Sequence, residues 1–310
     1  MSNIFKIKQV DAFTRKPYNG NPAGVVLDAD HLSATDMQKV ANEMNLAETA
    51  FVLKPTSEEC DLRIRWFSPT QEISLCGHAT IAAFHVLAEE GQFGLEIDEP
   101  QSFMLETKSG ILAVDLDWKD MRPFIRFSLP LPHFFPFPDD ITTLCGALGL
   151  SEIELSQKVK PQITGDGFCY IALKDYDSLK TLEPNFHLLR KFYDRHEISG
   201  FAVVTTDIGN KDNDWHMRFF APALGINEDI VTGSANGALA VFLLENGFLD
   251  DKKGFHSFKG TQGRFVNRTG YVTVILTVKD GKPEDLQICG EAVTVLEGNM
   301  KLNVNIPEKF

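Results

Sequence analysis

Much of what would assign this chain quickly is missing from it. Five cysteines in 310 residues are few, odd in number and widely spaced, at Cys60, Cys76, Cys145, Cys169 and Cys289. None makes a CxxC pair or a zinc spacing with another, which argues against a disulfide framework or a structural metal. No apolar run approaches the ~18 residues that a membrane span needs. The opening segment MSNIFKIKQVDAFTRK has no long apolar core of the secretory type. Basic charge is short too: 30 Lys and Arg against 43 Asp and Glu leave a net charge of −13. Nucleic acid and anionic membranes both need a basic surface, so neither is an expected partner. A small anionic ligand needs only a local electropositive site and remains open. GNPAG at 20–24 lacks the three-glycine dinucleotide fingerprint, so nucleotide-cofactor binding is poorly supported. These absences together describe a reduced, cytoplasmic protein.

What is present is ordinary in bulk and unusual in pattern. Apolar residues make up 43% and charged residues 24%, normal for a globular chain long enough for one large domain or two of average size. KIKQVDAF, AGVVLDA, TAFVLKP, LRIRWFSP and SFMLETK are short β-rich runs, and DMQKVANEMN and TIAAFHVLAEE carry helical periodicity. Further on, FIRFSLPLP, CYIALKD, FAVVTT, HMRFFAP and YVTVILTV read as strands, with NFHLLRKFYDR and ANGALAVFLLENG as helices. Strands dominate and each half holds two helices. The expected class is α+β.

The two halves share a plan. RWFSP (65–69) matches RFFAP (218–222), and EISLCGHATIAAFHVLAEEG (72–91) matches EDIVTGSANGALAVFLLENG (228–247). Upstream, helix then strand recurs in the same order, at an offset of about 150 residues that suggests internal duplication. Two homologous domains are expected, 1–122 and 123–295, with 296–310 rejoining the first as a terminal strand. PFIRFSLPLPHFFPFPDD (123–140) at their junction reads as a strand followed by a loop.

Each repeat sets a glycine before a helix that is apolar nearly all round and therefore core-bound. The first turn of a buried helix still has unsatisfied N–H groups. His78 with Thr80, and Ser234 with Asn236, stand where those groups point. Two readings stay open. The polar side chains are helix caps, or the domains face each other and both helix starts aim into one cleft and hold a carboxylate. In the second reading a protonated His78 would strengthen anion binding near its own pKa.

Glu48, in NLAETAFVL (45–53), has no twin; the matching stretch EISGFAVV (197–204) offers Ser199 or Gly200. Leu46, Ala50 and Phe51 are expected to bury it and raise its pKa, which suits proton shuttling, although a solvated helix-end carboxylate fits the spacing equally. Asp229, three residues before the TGS turn, would position Ser234 or a substrate group, or cap the turn. Glu228 has a counterpart in Glu72 and reads as structural. His78 and His85 are too far apart along a helix for a two-ligand metal site. Cys76 as a nucleophile lacks a partner, because Thr232 fills its place in the other half.

These segments, with VDAFTRKPYNGNPAGVVLDA (10–29), KGTQGR (259–264) and GEAVTVLEG (290–298), resemble the PhzF (phenazine biosynthesis-like) isomerase family, which shares the diaminopimelate epimerase fold. The resemblance covers essentially the whole chain. It implies two similar domains, each a curved, barrel-like sheet around a central helix, with the site in the cleft between them. It implies Glu48 as proton shuttle, with His78, Asp229 and Ser234 completing the catalytic set. Gly77, Thr80, Gly233, Ala235 and Asn236 would bind substrate, with no metal and no organic cofactor. The family's best-known member moves a proton between ring carbons of 2,3-dihydro-3-hydroxyanthranilate. Related epimerases use two opposed cysteines; Cys76 and Thr232 stand in those places, which disfavours two-thiol racemisation. One departure is Ile230, where the family motif usually has proline. The expected partner is a small anionic metabolite, and a homodimer is compatible with the pattern. The rivals are a thiol-dependent epimerase and a small-metabolite binder that has lost catalysis.

Overall fold

The structure is a computed structural model that describes residues 4–94, 99–207, 212–249 and 254–302. The chain divides into two compact units, Met1–Phe127 with Gly290–Phe310, and Ser128–Cys289. Strands outnumber helices, and the class is α+β. No helix among the described residues is long and apolar enough to cross a membrane.

The first unit carries β1 (Ile4–Ala12), β2 (Asn21–Val26), β3 (Glu48–Leu53), β4 (Leu62–Phe67), β5 (Glu72–Ile73), β6 (Gln101–Thr107), β7 (Gly110–Lys119) and β8 (Arg122–Leu129). The strand Ala292–Lys301 returns to pair with β1. From that strand the spatial order is β1, β2, β3, β4, β6, β7, β8. The successive pairings are antiparallel, antiparallel, parallel, antiparallel, parallel, antiparallel, antiparallel. β5 adds briefly to β4.

Two helices serve this unit. α1 (Ala34–Met44) starts at a reciprocal Ser33–Asp36 capping box and stops at Asn45, whose left-handed backbone ends the helix. It buries Met37, Val40 and Ala41, one helical face, beside Phe5, Val26, Phe51 and Phe67. α2 (Gly77–Glu89) has no polar face to spare. His78 to Phe84 and Val86 to Ala88 are all buried, and the helix packs against β1, β2, β3 and Ala292–Lys301.

The second unit repeats this order of pairings. Its strands are β9 (Phe134–Pro136), β10 (Gln162–Thr164), β11 (Phe168–Ala172), β12 (Gly200–Thr205), β13 (Trp215–Ala221), β14 (Ile226–Asp229), β15 (Gly254–Gln262), β16 (Gly270–Lys279) and β17 (Lys282–Gly290). The order β9, β10, β11, β12, β13, β15, β16, β17 again runs antiparallel, antiparallel, parallel, antiparallel, parallel, antiparallel, antiparallel. β14 adds to β13 as β5 does to β4. Four helices are described here rather than two: α3 (Ile141–Leu148), α4 (Tyr176–Lys180), α5 (Phe186–His196) and α6 (Gly233–Glu245). α3 and α4 escape a periodicity search because they are short. Each is started by an aspartate, Asp140 and Asp175, accepting from a backbone N–H of its first turn. α6 is buried nearly throughout, like α2, against β11 and β16.

An Arg–Glu pair closes the same corner of each unit. Arg65 grips Glu72 through Nε and Nη2 at 2.7 and 2.9 Å. Arg218 grips Glu228 at 3.0 and 2.8 Å. Each pair ties a strand to the short strand that leads into the glycine turn.

Three histidines are held neutral inside this fabric. Burial pushes His78, His85 and His216 down to about 4 from an ordinary 6.5. As pH falls, the unfolded chain binds these protons first. Their contribution to stability is therefore complete above about pH 6.5 and drains away between there and about pH 4. The midpoint of thermal unfolding should drop steeply across that window. A flat melting profile from pH 7 to 4 would contradict this placement of the three rings.

Candidate active site

Glu48 opens β3, opposite Ala23 of β2. The left-handed Asn45 that ends α1 turns the chain back toward the sheet three residues earlier. Ala50 and Phe51 are fully buried behind the carboxylate, and the Glu48 side chain itself is 17% exposed. In the second unit the residue that opens β12 is Gly200. A Cβ there would lie 2.4 Å from Cζ of Phe219, so that position has no room for a carboxylate.

Glu48 meets the start of α2. Its Oε2 lies 3.3 Å from Nε2 of His78, close but off the axis of a well-formed hydrogen bond. On the other edge of the ring, Nδ1 lies 3.3 Å from Sγ of Cys76. His78 is only 8% exposed, and its low pKa makes it a neutral imidazole at physiological pH. Desolvation thus moves the range in which a protonated His78 would strengthen anion binding down to about pH 4. The Thr80 hydroxyl donates to the Cys76 carbonyl at 2.6 Å, inside the first helical turn. Cys76 is the N-cap and gives α2 no side-chain cap. The N–H groups of Gly77, His78 and Ala79 therefore have no intrahelical acceptor and carry the positive end of the helix dipole.

Glu48, Cys76 and His78 all bear metal-type donors, which lie within 4.8 Å of one another. That set could hold an ion; in the present rotamers the thiol lies at Nδ1 and the carboxylate at Nε2 of the His78 ring. The arrangement is a chain of proton-bearing groups.

The second unit fixes a different acid. Asp229 ends β14, and its Oδ1 accepts from the Ile230 N–H at 2.8 Å while Oδ2 accepts from the Thr232 hydroxyl. Proline at 230 would have no N–H to give. The departure from the family motif thus supplies a donor that holds Asp229. Gln262, at the end of β15, clamps the turn from outside. Its amide donates to the Asp229 carbonyl at 3.0 Å and to Thr232 Oγ1 at 3.2 Å. Its Oε1 accepts from the Thr232 N–H at 3.0 Å and from Asn236 Nδ2 at 2.9 Å. Asn236 is wholly buried; it also donates to the Thr232 carbonyl and accepts from the Trp215 indole at 2.9 Å. Its amide is saturated from within the unit. Ser234, by contrast, is exposed on the first turn of α6 and lines a cavity of about 370 Å3 with Leu129, Phe135, Asp166 and Leu286. Gly233 and Ala235 are buried on either side of it, and Thr232 gives α6 no side-chain cap.

Sequence reasoning passed over Gln262 and Trp215 as individuals. Gln262 lies in KGTQGR, where only the neighbouring glycines attract notice. Its importance comes from contacts across about thirty residues, which local pattern cannot reveal.

A carboxylate against a neutral imidazole at an uncapped helix start is an arrangement capable of proton transfer. Known proteins place the chain more closely. A family profile described as phenazine biosynthesis-like protein matches residues 10–298. An uncharacterized isomerase of Clostridium acetobutylicum is 35% identical over 98% of this chain and 100% of its own length. The trans-2,3-dihydro-3-hydroxyanthranilate isomerase of Pseudomonas chlororaphis is 32% identical over 94% of this chain and 98% of its own. The crystal structure of a Bacillus anthracis phenazine biosynthesis protein of the PhzF family superposes with a TM-score of 0.86 at 30% identity, covering 96% of this chain and 99% of that one. The chain belongs to the phenazine biosynthesis-like family and is an isomerase.

Proposed function

We propose that this isomerase works without a cofactor, moving a proton between carbons of a small carboxylate-bearing substrate. Glu48 removes the proton from one carbon and returns it to another. His78 and Asp229 orient polar groups of the substrate, and Ser234 adds a hydroxyl. Backbone N–H groups at Gly77–His78 and at Gly233–Ser234 stabilise negative charge on the substrate, while Thr80 and Asn236 keep those turns in shape. Descent of both units from one duplicated, diaminopimelate epimerase-like ancestor is supported by their identical order of strand pairings.

The observation that carries this reading is the Glu48–His78 contact at 3.3 Å, with glycine at the corresponding strand start of the other unit. The direct test is conversion of trans-2,3-dihydro-3-hydroxyanthranilate, the compound in the Pseudomonas relative's name, followed alongside smaller cyclic and unsaturated carboxylates. Rearrangement of any of them, lost in Glu48→Gln, supports the proposal. Tight binding with no chemistry in any would favour the silent binder.

Two further expectations follow from the bonding. Carboxylate affinity measured by calorimetry should be nearly constant from pH 5 to 8, because His78 stays neutral throughout; a tenfold fall across that range would contradict the assignment. Cys76→Ala should retain substantial turnover, because Thr232 is no thiol and cannot complete a two-thiol pair. Complete loss of activity in a folded Cys76→Ala protein would restore the thiol-epimerase reading.

A further inference from the structure

Cys76 is left without a chemical role by this reading, yet its thiol is buried and aimed at a functional ring. Its exposure is 7%, and its Sγ lies 3.3 Å from Nδ1 of His78. We propose that Cys76 is a positioning residue that fixes the tautomer of His78, and through it the state in which Glu48 begins the reaction.

The argument starts from the ring. A neutral imidazole has one N–H and one lone pair, and either nitrogen can carry the proton. Nε2 faces Glu48 Oε2 at 3.3 Å, and an ionised carboxylate can only accept. Placing the proton on Nε2 gives a charge-assisted contact; placing it on Nδ1 sets two acceptors against each other. The carboxylate therefore selects Nε2–H. That choice leaves the Nδ1 lone pair in a dry pocket, where an unmet acceptor is costly. The Cys76 S–H meets it. The order is then Cys76 S–H toward Nδ1 and Nε2–H facing an ionised Glu48 across 3.3 Å, an electrostatic contact short of an aligned hydrogen bond, with Glu48 ready to take a proton from substrate.

The corresponding turn of the second unit supports this use of the position. Thr232 is the N-cap of α6 as Cys76 is of α2, and neither caps its helix with its side chain. Both direct their donor sideways, Thr232 to the Asp229 carboxylate and Cys76 to the His78 ring. A donor at the N-cap that serves the acid–base group instead of the helix is common to both turns. A thiol suits the first turn because a soft, weak donor holds the imidazole lone pair without competing for the proton on Nε2.

The consequence for turnover rests on Glu48 as the shuttle, but the tautomer itself does not, and it is read without substrate. The experiment is nitrogen-15 NMR of the full chain labelled at histidine, with His78 assigned by the signals that vanish in His78→Gln. In wild type, His78 should show a protonated Nε2 and a hydrogen-bonded, unprotonated Nδ1. Cys76→Ala should shift the Nδ1 resonance and move the ring toward a mixture of tautomers, while Cys76→Ser keeps the wild-type pattern because its hydroxyl donates in the same place. A protonated Nδ1 in wild type, or an unchanged His78 spectrum in folded Cys76→Ala, would overturn the proposal. Should Cys76→Ala not fold, the wild-type tautomer and the Cys76→Ser spectrum decide alone. If the tautomer is as described but Glu48→Gln turns over normally, the shuttle assignment fails and the positioning role stands.

Discussion

Replacing Glu48 with glutamine is expected to leave the fold and ligand affinity near wild type while turnover falls by roughly two orders of magnitude or more. Glutamine has almost the same shape and keeps an oxygen toward Nε2 of His78, so the packing of β3 against α2 is undisturbed. It has no basic lone pair that can hold a proton from carbon. The equivalent strand of the other unit supplies no carboxylate in its place, since it opens with Gly200, against which Phe219 is packed. Steady-state kinetics with melting curves separates the two effects. Turnover near the wild-type rate would show that Glu48 is not the shuttle.

The largest loss of stability is expected from Arg218→Met. Arg218 is 8% exposed, and its guanidinium pairs with Glu228 and donates to the Leu179 and Leu182 carbonyls at 3.3 and 3.1 Å. It also lies over the Phe220 and Phe265 rings, at 5.0 and 4.7 Å from their centroids. Methionine fills much of the volume but leaves Glu228 buried without a counter-charge and two carbonyls without a donor. Breaking such a pair from one side costs about 3–5 kcal/mol. The double variant Arg218→Met, Glu228→Leu removes both charges and should recover most of that loss. Chemical denaturation of the two variants provides the comparison; a single-variant loss under ~1 kcal/mol would mean the pair is solvated in solution. Glu228 is the neighbour of Asp229, so the single variant should also reduce activity through the turn.

The α+β class was legible because strands in this chain are short and alternating, and its buried helices are apolar all round. The Arg–Glu corner was half legible. Glu72 and Glu228 align, and so do Arg65 and Arg218, but only the fold shows that each arginine grips its own glutamate across a strand pair. α3 and α4 were not legible, since a helix of eight residues or fewer gives too few turns for periodicity to register. The charge state of His78 was not legible, because only the fold shows that the buried start of α2 removes the water a charged ring requires. Gln262 stayed hidden because its four hydrogen bonds all reach residues far away in sequence. Ile230 marked a departure from the family motif, and the N–H it contributes to Asp229 appears only in the folded turn.

The central claim is that Glu48 carries the proton. It is tested most directly by following carbon-bound deuterium during turnover in D2O. Wild type, Glu48→Gln and Cys76→Ala would be incubated in parallel with trans-2,3-dihydro-3-hydroxyanthranilate and the other carboxylates, and products analysed by mass spectrometry and NMR. Wild type and Cys76→Ala should both rearrange a substrate, with its migrating hydrogen moved to a new carbon or replaced by solvent deuterium, and Glu48→Gln should do neither. Proton movement at the wild-type rate in Glu48→Gln, with its loss in Cys76→Ala instead, would contradict the account.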